Sequence, residues 1–126
     1  MAKMTPDEIL AKSSNRTMQD AQKVRSQMGY LVKTDPNFRV MRSGNTLFSY
    51  YNKQNGNVDI AMDTAATPRE LIKDVSEFVK AMKVAKFKQG KFDINNPQIE
   101  RVLKMAGVKY KLIPQPNGTM SGMVEF

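Results

Sequence analysis

Proton transfer in this chain falls to Asp, Glu, Tyr and Lys, because its 126 residues include no His and no Cys. The same absences exclude a His-based triad, a thiol nucleophile, an imidazole or thiolate metal site and a disulfide framework. Asp35, Asp59, Asp63 and Asp93 lack the spacing of a calcium loop. The seven glycines are scattered at turn positions rather than gathered into a phosphate-binding loop. The strongest concentration of chemistry is cationic. Between Phe78 and Lys111 stand eight Lys and one Arg against Asp93 and Glu100, a local charge of +7 out of a total of +8. A solvated face is one reading of that segment, and a surface for phosphate, nucleic acid or an acidic protein is the other. Lys80, Lys83, Lys86, Lys88 and Lys91 are the candidate partner-binding residues. Phe87 and Phe92 interleave with them, as a single-strand platform requires, provided an aromatic is exposed. Lysines alone supply point charges rather than bidentate base readout, which disfavours sequence-specific binding.

The elements that position these groups follow from caps and periodicity. Thr5-Pro6-Asp7-Glu8 opens a helix with a capping box, and Thr67-Pro68-Arg69-Glu70 repeats the device. Ser13-Ser14-Asn15 interrupts the first helix, and Met18, Ala21, Val24, Met28 and Leu31 restart the helical spacing. From Phe38 the period becomes that of strands: Phe38 to Arg42, Thr46 to Tyr51 and Val58 to Met62, with Asn55-Gly56 as a hairpin turn. Leu71, Ile72, Val75, Phe78, Val79 and Met82 stripe the main helix, with Asp74 and Glu77 expected on its outer face. Lys86 to Ile94 reads as a strand. Asn95-Asn96-Pro97 starts a short helix that stops at Gly107, and strands follow from Tyr110 to Ile113 and Thr119 to Phe126. The ten Met are read mainly as core filler, with Met120 and Met123 as candidates for an interface.

The order α-(α)-β-β-β-α-β-α-β-β predicts an α/β (α+β) fold: a mixed, mainly antiparallel sheet with flanking helices. The strand–helix–strand crossover around Pro68 to Ala85 predicts one parallel pair. Residues 1–126 read as a single domain, with a helical part over 1–34 and a sheet core over 38–126. No apolar run reaches the roughly 20 residues of a membrane span, and the N-terminus does not read as a secretory signal. The expected location is therefore the cytoplasm of the cell, or of a host cell, with a virion as the other possibility.

From Phe38 onward, this order resembles the GCN5-related N-acetyltransferases. Asn95-Asn96 before the short helix and Lys104-Met105-Ala106-Gly107-Val108 after it look like that family's Asn-started helix and its closing turn. The chain also resembles small, divergent members of this fold encoded by tailed bacteriophages. The resemblance implies a coenzyme A site at the start of the main helix, for which Ala65, Ala66, Thr67, Arg69 and Asn96 are the candidates. It implies an acidic base on the preceding strand, Asp59 or Asp63. The departures are specific. Ala61 to Thr67 contains no Gly, Pro68 removes an N–H donor, Glu70 places a carboxylate where phosphates would sit, and no Tyr lies between Asn95 and Lys109.

On these grounds the sequence favours a non-catalytic binding or structural module on a degenerate acetyltransferase-like fold, of the kind a bacteriophage encodes, with a virion component as one form of it. It has no committed catalytic residue, no cofactor, no metal, and a protein partner at the lysine-rich segment. The alternatives are an acetyl-CoA-dependent N-acetyltransferase and a non-specific nucleic-acid-binding protein.

Overall fold

Three threonines set where helices begin. In the computed structural model, which describes residues 3–94 and 97–126, Thr5, Thr17 and Thr67 each accept a hydrogen bond from the backbone N–H three residues on. Thr5 and Thr67 complete capping boxes with Glu8 and Glu70, as their spacing predicts. They start α1 (Pro6–Ser13), α2 (Met18–Thr34) and α3 (Pro68–Val84). The Ser13-Ser14-Asn15 break thus separates two helices, and Asn15 takes the left-handed conformation there (φ 52°). Gly29 neither stops nor splits α2.

β1 (Phe38–Ser43), β2 (Thr46–Gln54) and β3 (Asn57–Thr64) form the expected antiparallel meander. Asn55 and Gly56 both have positive φ (56° and 81°), the geometry that favours Asn-Gly in a tight hairpin. β4 (Gln89–Ile94), α4 (Pro97–Met105), β5 (Lys109–Pro114) and β6 (Met120–Glu125) complete the chain. The sheet is six-stranded in the order β1-β2-β3-β4-β6-β5, and its parallel pair is β3–β4, across the α3 crossover.

Strand alternation divides the apolar residues between two faces. One face packs on α3 and α4, where Phe48, Val75, Phe78, Met82, Leu103 and Val124 are buried. Each such side chain contributes on the order of 2 kcal/mol. Phe48 and Phe78 stack with ring centroids 4.3 Å apart. The other face meets α1 and α2 through Ile9, Leu10, Ala21 and Leu47. α1 and α2 lie over β1, β2 and β3, and β5 forms the far edge of the sheet.

Two expectations are corrected. Asp74 does not face outward: it is buried against the β1–β2 turn and accepts a hydrogen bond from Thr46 Oγ1. Gly44 makes room for it, since a Cβ there would lie 2.5 Å from Asp74 Oδ1. A polar residue in a helical pattern looks solvent-facing unless its partner on another element is known. The fourth strand begins at Gln89 rather than Lys86. Lys86 instead ends α3 in the left-handed conformation (φ 66°), with its N–H on Lys83 O and that of Phe87 on Met82 O.

Candidate functional site

β3 and β4 pair over only three residues each, Asn57 to Asp59 with Gln89 to Lys91. Beyond that the strands part, and the facing edges of β3 from Ile60 and of β4 from Phe92 have no strand partner. Half the backbone N–H and C=O groups on each edge point into the resulting wedge. Such an edge suits an extended ligand with amide groups.

The wedge opens a cavity of about 440 Å³, within the range of small-molecule sites. Its lining comes from both faces of the sheet. Ile60, Met62 and Phe92 belong to the α3–α4 face, and Ala61, Asp93 and Ser14 to the α1 face. The space therefore passes through the sheet. Among the described residues, Asp93 is the only ionisable side chain lining it. Its neighbour across the strand pair is the buried Ser121, whose Oγ donates to Asp93 Oδ1 at 3.4 Å. Two glycines clear the surroundings. A Cβ on Gly122 would come within 2.5 Å of the Phe92 ring, and one on Gly90 within 2.4 Å of Ile60 Cδ1.

At the mouth stands the N-terminus of α3, whose donors are largely used internally. Ala66 N–H donates to Thr64 Oγ1 (3.0 Å), Thr67 N–H to Glu70 Oε1 (2.9 Å) and Glu70 N–H to Thr67 Oγ1 (3.3 Å). Pro68 has no N–H. Arg69 keeps the free backbone donor of the first turn among the described residues, together with an exposed guanidinium. The hydrogen bonds from Thr67 hold the Glu70 carboxyl below its usual range, and Lys12 adds to the effect.

The overall fold recurs in solved structures. Aminoglycoside acetyltransferase AAC(6')-Ib in complex with coenzyme A matches with a TM-score of 0.63 at 17% identity, covering 98% of this chain and 92% of that one. The fold is that of the GNAT acetyltransferases. The PaiA N-acetyltransferase of Thermoplasma acidophilum in complex with coenzyme A matches at 0.60 and 5% identity, over 95% and 90% of the chains. The microcin C7 self-immunity acetyltransferase MccE with acetyl-CoA and AMP matches at 0.62 and 8%, over 88% and 72%. No protein-family model and no curated protein matches the sequence. This GNAT fold corrects the expectation of a non-catalytic binding or structural module. The structures that share it are named as acetyltransferases, several holding coenzyme A or acetyl-CoA, and they favour the N-acetyltransferase alternative.

The residues singled out in the sequence are dispersed within this GNAT fold. Asp59 lies on the exposed side of β3, 3.6 Å from Lys53 Nζ. Asp63 is 3.2 Å from Arg16, which also donates to Leu10 O and so fastens the α1–α2 turn to β3. Ala65 packs with the α1 cluster and Ala66 lines the cavity, whereas Thr67 and Arg69 are exposed at the start of α3 and outside the cavity's lining. Asn96 lies outside the described residues. Lys80 and Lys83 sit on the outer side of α3, Lys86 and Lys88 on its connection to β4, and Lys91 on the opposite face of the sheet; all are exposed. The five thus form no single surface. Phe87 and Phe92 both pack against the core, so they offer no stacking platform beside the lysines. Tyr110 Oη hydrogen-bonds Glu100 at 3.2 Å. Asp93, the carboxylate that this arrangement brings to the cavity, is not singled out by the sequence as a candidate. Its only sequence signal is a carboxylate within a basic, alternating strand, and that does not reveal a partner strand that splays away.

Proposed function

We propose that the protein is an acetyl-CoA-dependent N-acetyltransferase. The observation that carries this reading is the cavity passing through the sheet at the β3–β4 wedge. An acyl donor and an amine acceptor can approach it from opposite faces and meet inside.

The wedge fits the donor's extended amide-bearing arm better than the α3 N-terminus fits its diphosphate. The unpaired edges from Ile60 and Phe92 would hold the arm, and Arg69 would meet a phosphate with its N–H and its charge. When bound, the donor supplies an activated acetyl thioester. Asp93 would hold the acceptor's ammonium by charge and accept one proton from it, leaving the nitrogen lone pair free to attack the thioester carbonyl. As the C–N bond forms the C–S bond would break, and the second nitrogen proton would pass through solvent to the departing thiolate. Ser121 would fix the carboxylate's orientation. The apolar walls from Met62, Phe92 and Leu71 would keep bulk water from the thioester.

The test is calorimetric titration with acetyl-CoA, paired with thiol release on adding an amine. Saturable binding with amine-dependent release is expected, and Asp93→Asn should lower kcat about 100-fold while binding acetyl-CoA normally. No binding, or full activity in Asp93→Asn, refutes the reading or the role of Asp93 respectively. Activity in the cytoplasm follows from this reading. Among the described residues no helix is long and apolar enough to cross a membrane. Kinship with tailed-phage members of the fold is a further proposal, resting on size and divergence, and gene neighbourhood tests it.

A further inference from the structure

We infer that the acceptor is a small amine carrying an anionic group, a carboxylate or a phosphate, close to its nitrogen. This rests on the acetyl-transfer reading above and adds the chemistry of the second substrate.

The inference comes from the face of the sheet on which Asp93 lies. α1 and α2 pack over β1 to β3 and leave this face of β4, β6 and β5 uncovered. Register puts Asp93, Ser121 and Ile113 in one row across these strands, and Lys91, Met123 and Lys111 in the next. Rows two residues apart are about 6.6 Å apart, and the two lysines, two strands apart, are separated by about 10 Å at their Cα atoms. Lys91 and Lys111 thus flank Asp93 from one side, with Met123 between them.

Charge accounting separates these groups from their neighbours. The strands carry Arg42, Lys53, Lys91, Lys109 and Lys111 against Asp59, Asp63, Asp93 and Glu125 on this face. Arg42 is spent on Gly44 O and Met4 O, and Asp63 on Arg16. Asp59 is taken by Lys53 at 3.6 Å, and Glu125 stands directly opposite Lys109. Lys109 and Glu125 are not ion-paired but face each other directly, so their charges offset. Apart from them there remain Asp93, Lys91 and Lys111, all exposed and none ion-paired among the described residues. One negative and two positive groups remain, with the negative one at the cavity. An acceptor with an ammonium and an anion a few atoms apart complements all three. A polycationic acceptor satisfies Asp93 but meets both lysines and a chain of net charge +8. This distinguishes the surface from that expected for the aminoglycosides named with AAC(6')-Ib.

Matched pairs test the inference. Thiol release from acetyl-CoA is measured with β-alanine against β-alaninamide, with O-phosphoethanolamine against ethanolamine, and with spermidine. The anionic member of at least one pair should show a kcat/KM about tenfold above its partner, and spermidine should be the poorest acceptor. Which pair discriminates tells carboxylate from phosphate. In the double variant Lys91→Glu, Lys111→Glu the ratio within that pair should fall to about one or below, with the circular dichroism spectrum unchanged. Release that ignores the anion, or prefers spermidine, overturns the inference and leaves acetyl transfer standing. So does an unaltered ratio in the charge-reversed variant. Release with none of these amines, despite normal acetyl-CoA binding, also overturns it, since the class of acceptor is then wrong. Failure to bind acetyl-CoA removes the underlying reading instead.

Discussion

Asp74 Oδ2 accepts a hydrogen bond from Thr46 Oγ1 at 2.7 Å, and both residues are buried, Thr46 completely. The contact belongs to a chain of polar groups. Thr46 Oγ1 also lies 2.8 Å from Thr64 Oγ1, which accepts from the Ala66 N–H at the entrance to α3. Beside it, Ser43 donates to Glu77. The α3 N-terminus is therefore tied through hydroxyls to the β1–β2 hairpin.

Burial raises the Asp74 carboxyl above its ordinary value of 3.8; the Thr46 hydrogen bond works against this, and the charges of Glu77 and Glu70 add to it. The native state therefore binds more protons than the unfolded chain just above pH 3.8, and stability falls as pH rises across that window. Asp74→Asn keeps an acceptor for Thr46 and removes the charge. Its melting temperature should exceed that of the wild type at neutral pH by a few degrees, the shift that roughly 1 kcal/mol produces in a small domain. The advantage should shrink on acidification below the window. A destabilised variant at neutral pH would show that the Thr46 bond outweighs desolvation.

Glu70 occupies the place where an anion would use the α3 N-terminus. Glu70→Gln preserves the capping geometry and removes one negative charge. Coenzyme A should bind it about threefold to tenfold more tightly, with little change in melting temperature. The gain should diminish in high salt. Equal or weaker binding by calorimetry would place the diphosphate away from this helix end.

Much of this fold is legible because its signals are local. Thr5 and Thr67 with their Glu partners mark helix starts, Asn55-Gly56 marks a hairpin, and a crossover helix demands a parallel pair. The site is less legible because it depends on strands that separate. Asp59 and Asp63 resemble catalytic acids by position, yet they are paired with Lys53 and Arg16, residues 6 and 47 positions away. Asp93 becomes conspicuous only when β3 and β4 part after Asp59 and Lys91. Asp74 is indistinguishable from a surface carboxylate until Gly44 and Thr46 are brought over it.

Gly122 tests the cavity wall. Its missing side chain is replaced by the Phe92 ring, so Gly122→Ala must displace that ring, which lines the cavity. Stability should fall by roughly 1–3 kcal/mol, the usual range for overpacking, and acetyl-CoA binding should weaken with it. The companion Gly122→Ala, Phe92→Leu relieves the crowding and should recover part of the stability. If the single variant melts like the wild type, the ring has room to move and Gly122 does not shape the cavity.

Lys86 and Gly107 end α3 and α4 by the same arrangement. In each, the left-handed residue donates to the carbonyl three positions back, and the next N–H reaches five back: Lys86 to Lys83 and Phe87 to Met82, Gly107 to Lys104 and Val108 to Leu103. The φ values are 66° and 71°. A Cβ costs about 1 kcal/mol in this conformation, and Gly107 has nothing within 4 Å of where its Cβ would stand. Lys86→Gly should therefore stabilise the protein by about 0.5–1 kcal/mol, and Gly107→Ala should destabilise it by a similar amount. Denaturant titration at two salt concentrations isolates the backbone effect from the lost lysine charge. A salt-independent gain supports conformational relief at Lys86. A gain that disappears at high salt would assign it to reduced repulsion among Lys80, Lys83 and Lys88, and no gain at either salt would mean the α3 terminus tolerates its Cβ without strain.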